Sequence, residues 1–173
     1  AHGYDKWEKE SVKNEENPLV PYNVTKKTEI KKFGAGKDDA KTEISGRLIG
    51  GCLDCLSNLA GTKFDKVSDF NEKYKEDGII WFMESCDLNP MAIRRAIWQL
   101  DHAGWFKYVK GFLIGRPLCL DEEILGVDRY NAVYPLLEKY NVPIIMDLDI
   151  GHTAPMMPIV SGAKAEIVVE KNS

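Results

Sequence analysis

Three short apolar runs, "IIWFM" (79–83), "GFLIG" (111–115) and "PIIM" (143–146), constrain this chain more than any other feature. Each has the length of a strand, and a segment with helical signals separates each from the next. Strand–helix–strand successions are satisfied by parallel pairing through right-handed crossovers. The fold class predicted is therefore α/β, with a partly parallel sheet flanked by helices.

The intervening segments sharpen this reading. "NPMAIRRAIWQLDHAG" offers Asn89 as a helix N-cap, Pro90 at the first helical position and Gly104 beyond the end. Its Ile93, Ile97 and Leu100, with Ala96 and Ala103, recur at helical spacing. Trp81 and Trp98 are expected in the core. "EISGRLIGG" reads as a strand closing in glycines, and "CLDCLSNLAG" as a short helix stopped by Gly61. "VSDFNEKYKEDG" suits a surface helix capped by Ser68 or Asp69. "DRYNAVYPLLEKYN" is predicted as a helix bent or restarted at Pro135, and "AEIVVE" as a closing strand. Residues 1–42 are rich in Lys, Glu and Asp and carry Pro18 and Pro21. They are expected to form a lead-in or interdomain linker with an edge segment, anchored by Trp7 and "TEIKKF". Residues 43–173 form the domain proper.

Charge and cysteine usage exclude several function classes. A formal net charge of −4 lacks the cationic surface that nucleic acid or an anionic membrane needs. No apolar stretch reaches bilayer-spanning length, and the N-terminus has no secretion-signal core. The expectation is a cytoplasmic protein with neither nucleic-acid nor membrane partner. The chain opens at Ala1 rather than at a methionine, as a processed or partial product would. "CLDC" has C-x-x-C spacing, yet no second C-x-x-C or C-x-x-H accompanies it. Cys52 and Cys55 are therefore expected to be reduced and metal-free, and no cofactor is called for.

Ligands in such sheets gather at the carboxyl ends of parallel strands. Three of those ends are polar: "ESCD", "GRP" and "DLDIGH". Glu84, Arg116, Asp147, Asp149 and His152 are thus candidates to converge on one rim. A glutamate facing a histidine is a hydrolytic pairing, in which the carboxylate orients the imidazole and stabilises the imidazolium it becomes. Blander roles stand beside these: Glu84 capping the next turn, His152 bonding a carbonyl near Pro155, Arg116 in a structural ion pair. Asp147 and Asp149 with His152 are a weaker divalent-metal alternative. A nucleophile is missing, since no serine lies in a G-x-S-x-G elbow. Cys86 lies near Glu84 but lacks a cationic neighbour to activate it.

Taken in order, several of these motifs resemble the LD-carboxypeptidase family of serine peptidases, which includes the microcin C self-immunity hydrolases. The resemblance runs from about Gly46 to Ala165 and lies in that family's C-terminal domain, a small swivelling β/β/α unit. "IIWFMES" is similar to the strand delivering the triad glutamate, at Glu84. "PIIMDLDIGHTAPMMPIVSGAKAEI" is similar to the segment carrying the triad histidine, at His152. "GRLIGGCLDCLSNLAGT", "AIRRAIWQLDHAGWF" with Arg95, and "GFLIGRP" match segments between and around these. Cys52 departs from the family's usual asparagine, and Arg94 from its usual acid. The resemblance implies that the serine belongs to an N-terminal domain preceding this chain. The complete enzyme would then release terminal D-alanine from muropeptides during cell-wall recycling, or hydrolyse peptidyl-nucleotide antibiotics. Arg116 and Asp149 are the expected substrate contacts. This chain alone is expected to be inactive, with a homodimer one outcome of an uncovered interdomain face. A non-catalytic binding module is the alternative from another class.

Overall fold

The computed structural model describes residues 2–170. In chain order the elements are β1 (Lys6–Trp7), β2 (Lys26–Lys27), β3 (Lys31–Gly34), β4 (Lys41–Cys52), α1 (Leu53–Leu59), α2 (Val67–Lys73), β5 (Ile79–Glu84), α3 (Pro90–His102), β6 (Val109–Gly115), α4 (Tyr134–Leu137), β7 (Pro143–Leu148) and β8 (Lys164–Glu170). Six strands form one sheet in the order β3-β7-β6-β5-β4-β8. The inner four, β4 to β7, run parallel, and the edges β3 and β8 run antiparallel to their neighbours. β1 and β2 pair separately within the lead-in. Among the described residues no helix is long and apolar enough to cross a membrane.

Successive side chains of a strand point to opposite faces, so a run such as "IIWFM" must meet apolar partners on both. Trp81 and Met83 enter the helix-covered core with Ile93, Ala96, Ile97 and Leu100 of α3. Trp81 is fully buried, stacked 5.6 Å from Trp105 and edge-on to Phe106 at 5.4 Å. Ile80 points the other way, to a smaller cluster with Leu48, Leu113, Ile145 and Ile150. Among the described residues no helix packs over that second face. An open trough of about 820 Å³, lined by Leu48, Leu113 and Ile167 among others, runs along it.

α3 starts where Asn89 and Pro90 predict: the Asn89 carboxamide oxygen accepts from the Ala92 N–H at 2.9 Å. Loss of that cap in Asn89→Ala should cost about 1 kcal/mol in urea unfolding, with the fold otherwise intact. Three local expectations are corrected. Trp98 falls off the stripe of Ile93, Ile97 and Leu100, is 54% exposed and packs on the His102 ring instead of the core. α2 begins one residue after Lys66, with the Asp65 carboxylate accepting from the Val67 N–H, so neither Ser68 nor Asp69 caps it. Residues 128–133 are not helical, although a short helix does start beside Pro135 as expected. The Asp128 carboxylate accepts from the Tyr130 and Asn131 N–H groups, a local turn that competes with helix. Only α4 and a 3₁₀ turn, Glu138–Tyr140, follow.

Candidate active site

β4 and β5 end in register, with Cys52 opposite Glu84. β5 thus delivers a carboxylate to the rim straight from the core, where Glu84 is only 6% exposed. A capping role for it is taken by Asn89, which starts α3. His152 arrives from the loop after β7, and its Nδ1 lies 2.8 Å from Glu84 Oε2. With Nδ1–H donating to the carboxylate, Nε2 is left as the acceptor nitrogen. The His152 side chain is 47% exposed, so that nitrogen can meet a partner from outside the chain.

Two glycines make this approach possible. A Cβ on Gly151 would fall 2.5 Å from Glu84 Oε2, and its φ of 107° is one that side chains rarely adopt. A Cβ on Gly115 would sit 2.1 Å from the Ile150 carbonyl oxygen and 3.0 Å from Glu84 Cβ. The glutamate therefore packs against backbone on the sides facing β6 and the histidine loop.

The turn after Glu84 is held by a residue that motif reading did not single out. Asp54, in the first turn of α1, accepts from the Asp87 N–H at 2.8 Å, the Cys86 N–H at 3.0 Å and the Cys52 thiol at 3.2 Å. Burial alone would raise its pKa, but these donors outweigh it and hold the carboxyl below its ordinary value. An anion favoured in the fold contributes stability that is complete above the unfolded pKa, about 3.9, and is lost as pH falls through the lower folded value. The stability advantage of the wild type over Asp54→Asn should therefore shrink between about pH 5 and pH 2 in urea unfolding. An advantage that stayed constant across that range would mean Asp54 is not held as an anion.

The thiols at the rim are poor nucleophiles. Burial, the Asp54 carboxylate and Glu84 push Cys52 up to about 12. Cys86 is also raised, by burial and then by Asp87. All four cysteines are free.

The other rim candidates do not join the dyad. Arg116 donates from Nη1 to the Asp147 carbonyl at 2.6 Å and from Nη2 to Asp149, and the two side chains are 2% and 3% exposed. Each is engaged by the other within the chain, as the structural ion pair that is the blander reading of Arg116. Their pairing shapes the loop that carries His152. Asp147 is held by Arg129 and by the Tyr130 hydroxyl, whose pKa burial and then the Asp147 carboxylate push up to about 12. Asp147, Asp149 and His152 therefore do not assemble as a metal-ligand set. The lead-in closes over the same loop. The Tyr4 N–H donates to Asp149 at 2.7 Å, the Glu8 N–H to the Ala154 carbonyl at 2.7 Å, and Trp7 lies 4.8 Å from the Arg116 guanidinium. Met156 and Val160, further along the chain from His152, are exposed. The large trough lies elsewhere, and neither Glu84 nor His152 lines it.

Comparison with known proteins gives this arrangement a setting. Microcin C7 self-immunity protein MccF of Escherichia coli is 26% identical over 165 residues, covering 94% of this chain and 44% of its own length. The probable murein peptide carboxypeptidase of Bacillus subtilis is 29% identical over 126 residues, 69% of this chain and 36% of its own. The structure of MccF in complex with glutamyl sulfamoyl guanosine matches with a TM-score of 0.72 at 24% identity, over 96% of this chain and 46% of that one. That likeness is one of fold, and the chain spans less than half the length of these relatives. The model of the LD-carboxypeptidase C-terminal domain matches residues 45–167, a stretch that holds both Glu84 and His152. On that match over most of its length, the chain belongs to the LD-carboxypeptidase family, as the C-terminal domain.

Proposed function

We propose that this chain supplies the glutamate and histidine of a Ser-Glu-His triad in a serine hydrolase of LD-carboxypeptidase type. The observation that carries the reading is the 2.8 Å contact between Glu84 and the Nδ1 of His152 at the carboxyl rim of a parallel sheet. In it Glu84 fixes the tautomer, and His152 Nε2 takes the proton of a serine hydroxyl as that oxygen attacks the scissile carbonyl. The same proton then passes to the departing amine. The serine and its oxyanion donors come from a domain joined ahead of this chain, so the chain by itself does not turn over peptide.

The substrate proposed is a muropeptide ending in an L-to-D bond, with terminal D-alanine as the leaving group. The relatives called carboxypeptidases, from Bacillus subtilis and Vibrio cholerae, support it. A second reading, hydrolysis of a peptidyl-nucleotide, is favoured by one observation: the match to MccF covers 94% of this chain, against 73% and 69% for the carboxypeptidases. Solved MccF structures also hold sulfamoyl nucleosides or adenosine monophosphate.

The test restores the upstream reading frame and offers both substrate classes to the longer protein and to this chain alone. Release of D-alanine by the longer protein only is the expected result. Turnover of the nucleotide conjugate in its place would select the second reading. Turnover by this chain alone that survives His152→Ala would overturn both.

A further inference from the structure

The residue opposite Glu84 at the end of β4 is Cys52, so strand register sets a thiol beside the carboxylate. His152 closes the group. One donor atom from each of the three, a sulfur, a carboxylate oxygen and an imidazole nitrogen, lies within 4.8 Å of the others. In a tetrahedral zinc site, with Zn–S about 2.3 Å and Zn–N or Zn–O about 2.0–2.2 Å, such donors stand roughly 3.3–3.7 Å apart. Adjustments of about an ångström bring these atoms to that spacing, and half-exposed His152 has room to make them.

We propose that Cys52, Glu84 and His152 form a binding site for one zinc-class divalent cation, with a fourth position open to solvent. The donor types select the metal class. A thiolate with an imidazole suits borderline ions such as zinc or cobalt(II), whereas magnesium and calcium prefer oxygen donors throughout. The charges balance, since a thiolate and a carboxylate neutralise a dication. Asp54, 3.2 Å from the sulfur, and Asp87 beside Cys86 add negative potential at the mouth. Asp54 is itself fixed by the Cys86 and Asp87 N–H groups, so it stays beside the sulfur and does not swing in as a ligand. Binding breaks the Cys52 S–H bond: the proton leaves to solvent, the sulfur lone pair goes to the metal, and no electron changes hands.

This site differs from the C-x-x-C pair considered at the level of spacing. Cys55 is exposed on α1, and the ligands that complement Cys52 come from two other elements. A consequence follows that rests on the proposed triad. A metal ligated by Glu84 and His152 replaces the hydrogen bond between them and occupies the base, so the loaded site is silent. Metal binding itself does not depend on that reading.

The test titrates the reduced chain with zinc chloride by calorimetry and with cobalt(II) by absorbance. The expected result is one ion per chain, with a sulfur-to-cobalt charge-transfer band in the near ultraviolet. Cys52→Ser should weaken binding by about a hundredfold or more and abolish the band. His152→Ala should weaken binding as well, and Cys55→Ser should leave both signals unchanged. Zinc should raise the melting temperature of the wild type and not of Cys52→Ser, a comparison that also verifies that the variant folds. Undiminished zinc binding in Cys52→Ser, loss of the band in Cys55→Ser, or equal competition by magnesium would each overturn the proposal. These readouts stand whether or not the longer protein proves to be a peptidase.

Discussion

In the longer protein, His152→Ala is expected to lower kcat by on the order of a million-fold while KM changes little. The alanine removes the group that takes the serine proton, and the other candidates read from the rim do not replace it. Arg116, Asp147 and Asp149 are all buried and engaged elsewhere. Glu84→Gln is the more discriminating variant. It keeps the shape of the side chain, but an amide N–H facing Nδ1 favours the tautomer that carries its proton on Nε2. A loss of roughly ten-thousand-fold follows in a triad whose acid serves chiefly to orient the base. Circular dichroism and melting temperature should barely move in either variant. Steady-state kinetics of purified proteins checks this, and a Glu84→Gln enzyme within about tenfold of wild type would remove Glu84 from the mechanism.

Arg116→Ala is expected to destabilise the chain by about 3–5 kcal/mol, because it strands the Asp149 carboxylate in a buried position with its main counter-charge gone. For a domain of this size that corresponds to a fall in melting temperature on the order of 10 °C. The Tyr4 N–H still reaches Asp149, but one neutral donor does not balance a buried charge. The double variant Arg116→Met/Asp149→Leu should recover much of the loss, since removing both charges removes the desolvation penalty as well. A substrate clamp behaves differently: Arg116→Ala would raise KM and leave the melting temperature unchanged. Scanning calorimetry of the two variants beside the wild type separates the cases.

The parts of this fold that could be read from sequence are those where one local rule suffices. β5, β6 and β7 are apolar runs with no competing signal, and α3 has a cap, a proline and a stripe that agree. Glu84 and His152 are legible because one ends an apolar strand and the other lies in the polar loop a few residues after another. The failures fall where side chains bond their own backbone, as Asp128 and Asn131 do, or where a residue's face depends on its phase within the helix, as with Trp98. Partner choice was equally out of reach. Asp147 and Asp149 are two residues apart, yet one binds Arg129 and the other Arg116. Strand register decides whether Cys52 stands beside Glu84 or one step away, and spacing along the chain carries no record of it.

Tyr4 and Glu8 are tied to Asp149 and Ala154, on either side of His152. Any polypeptide joined ahead of Gly3 therefore reaches the domain beside Asp149, at the base of the loop that carries His152. In the proposed triad, a hydroxyl carried on that polypeptide would meet the base as an intramolecular partner. A short tether of this kind holds it at an effective concentration in the millimolar range, without a large interface between the two bodies. Cutting the tether between the last residue of such a body and Tyr4 would turn that encounter into an ordinary bimolecular one, and turnover would then depend on how much of each piece is present.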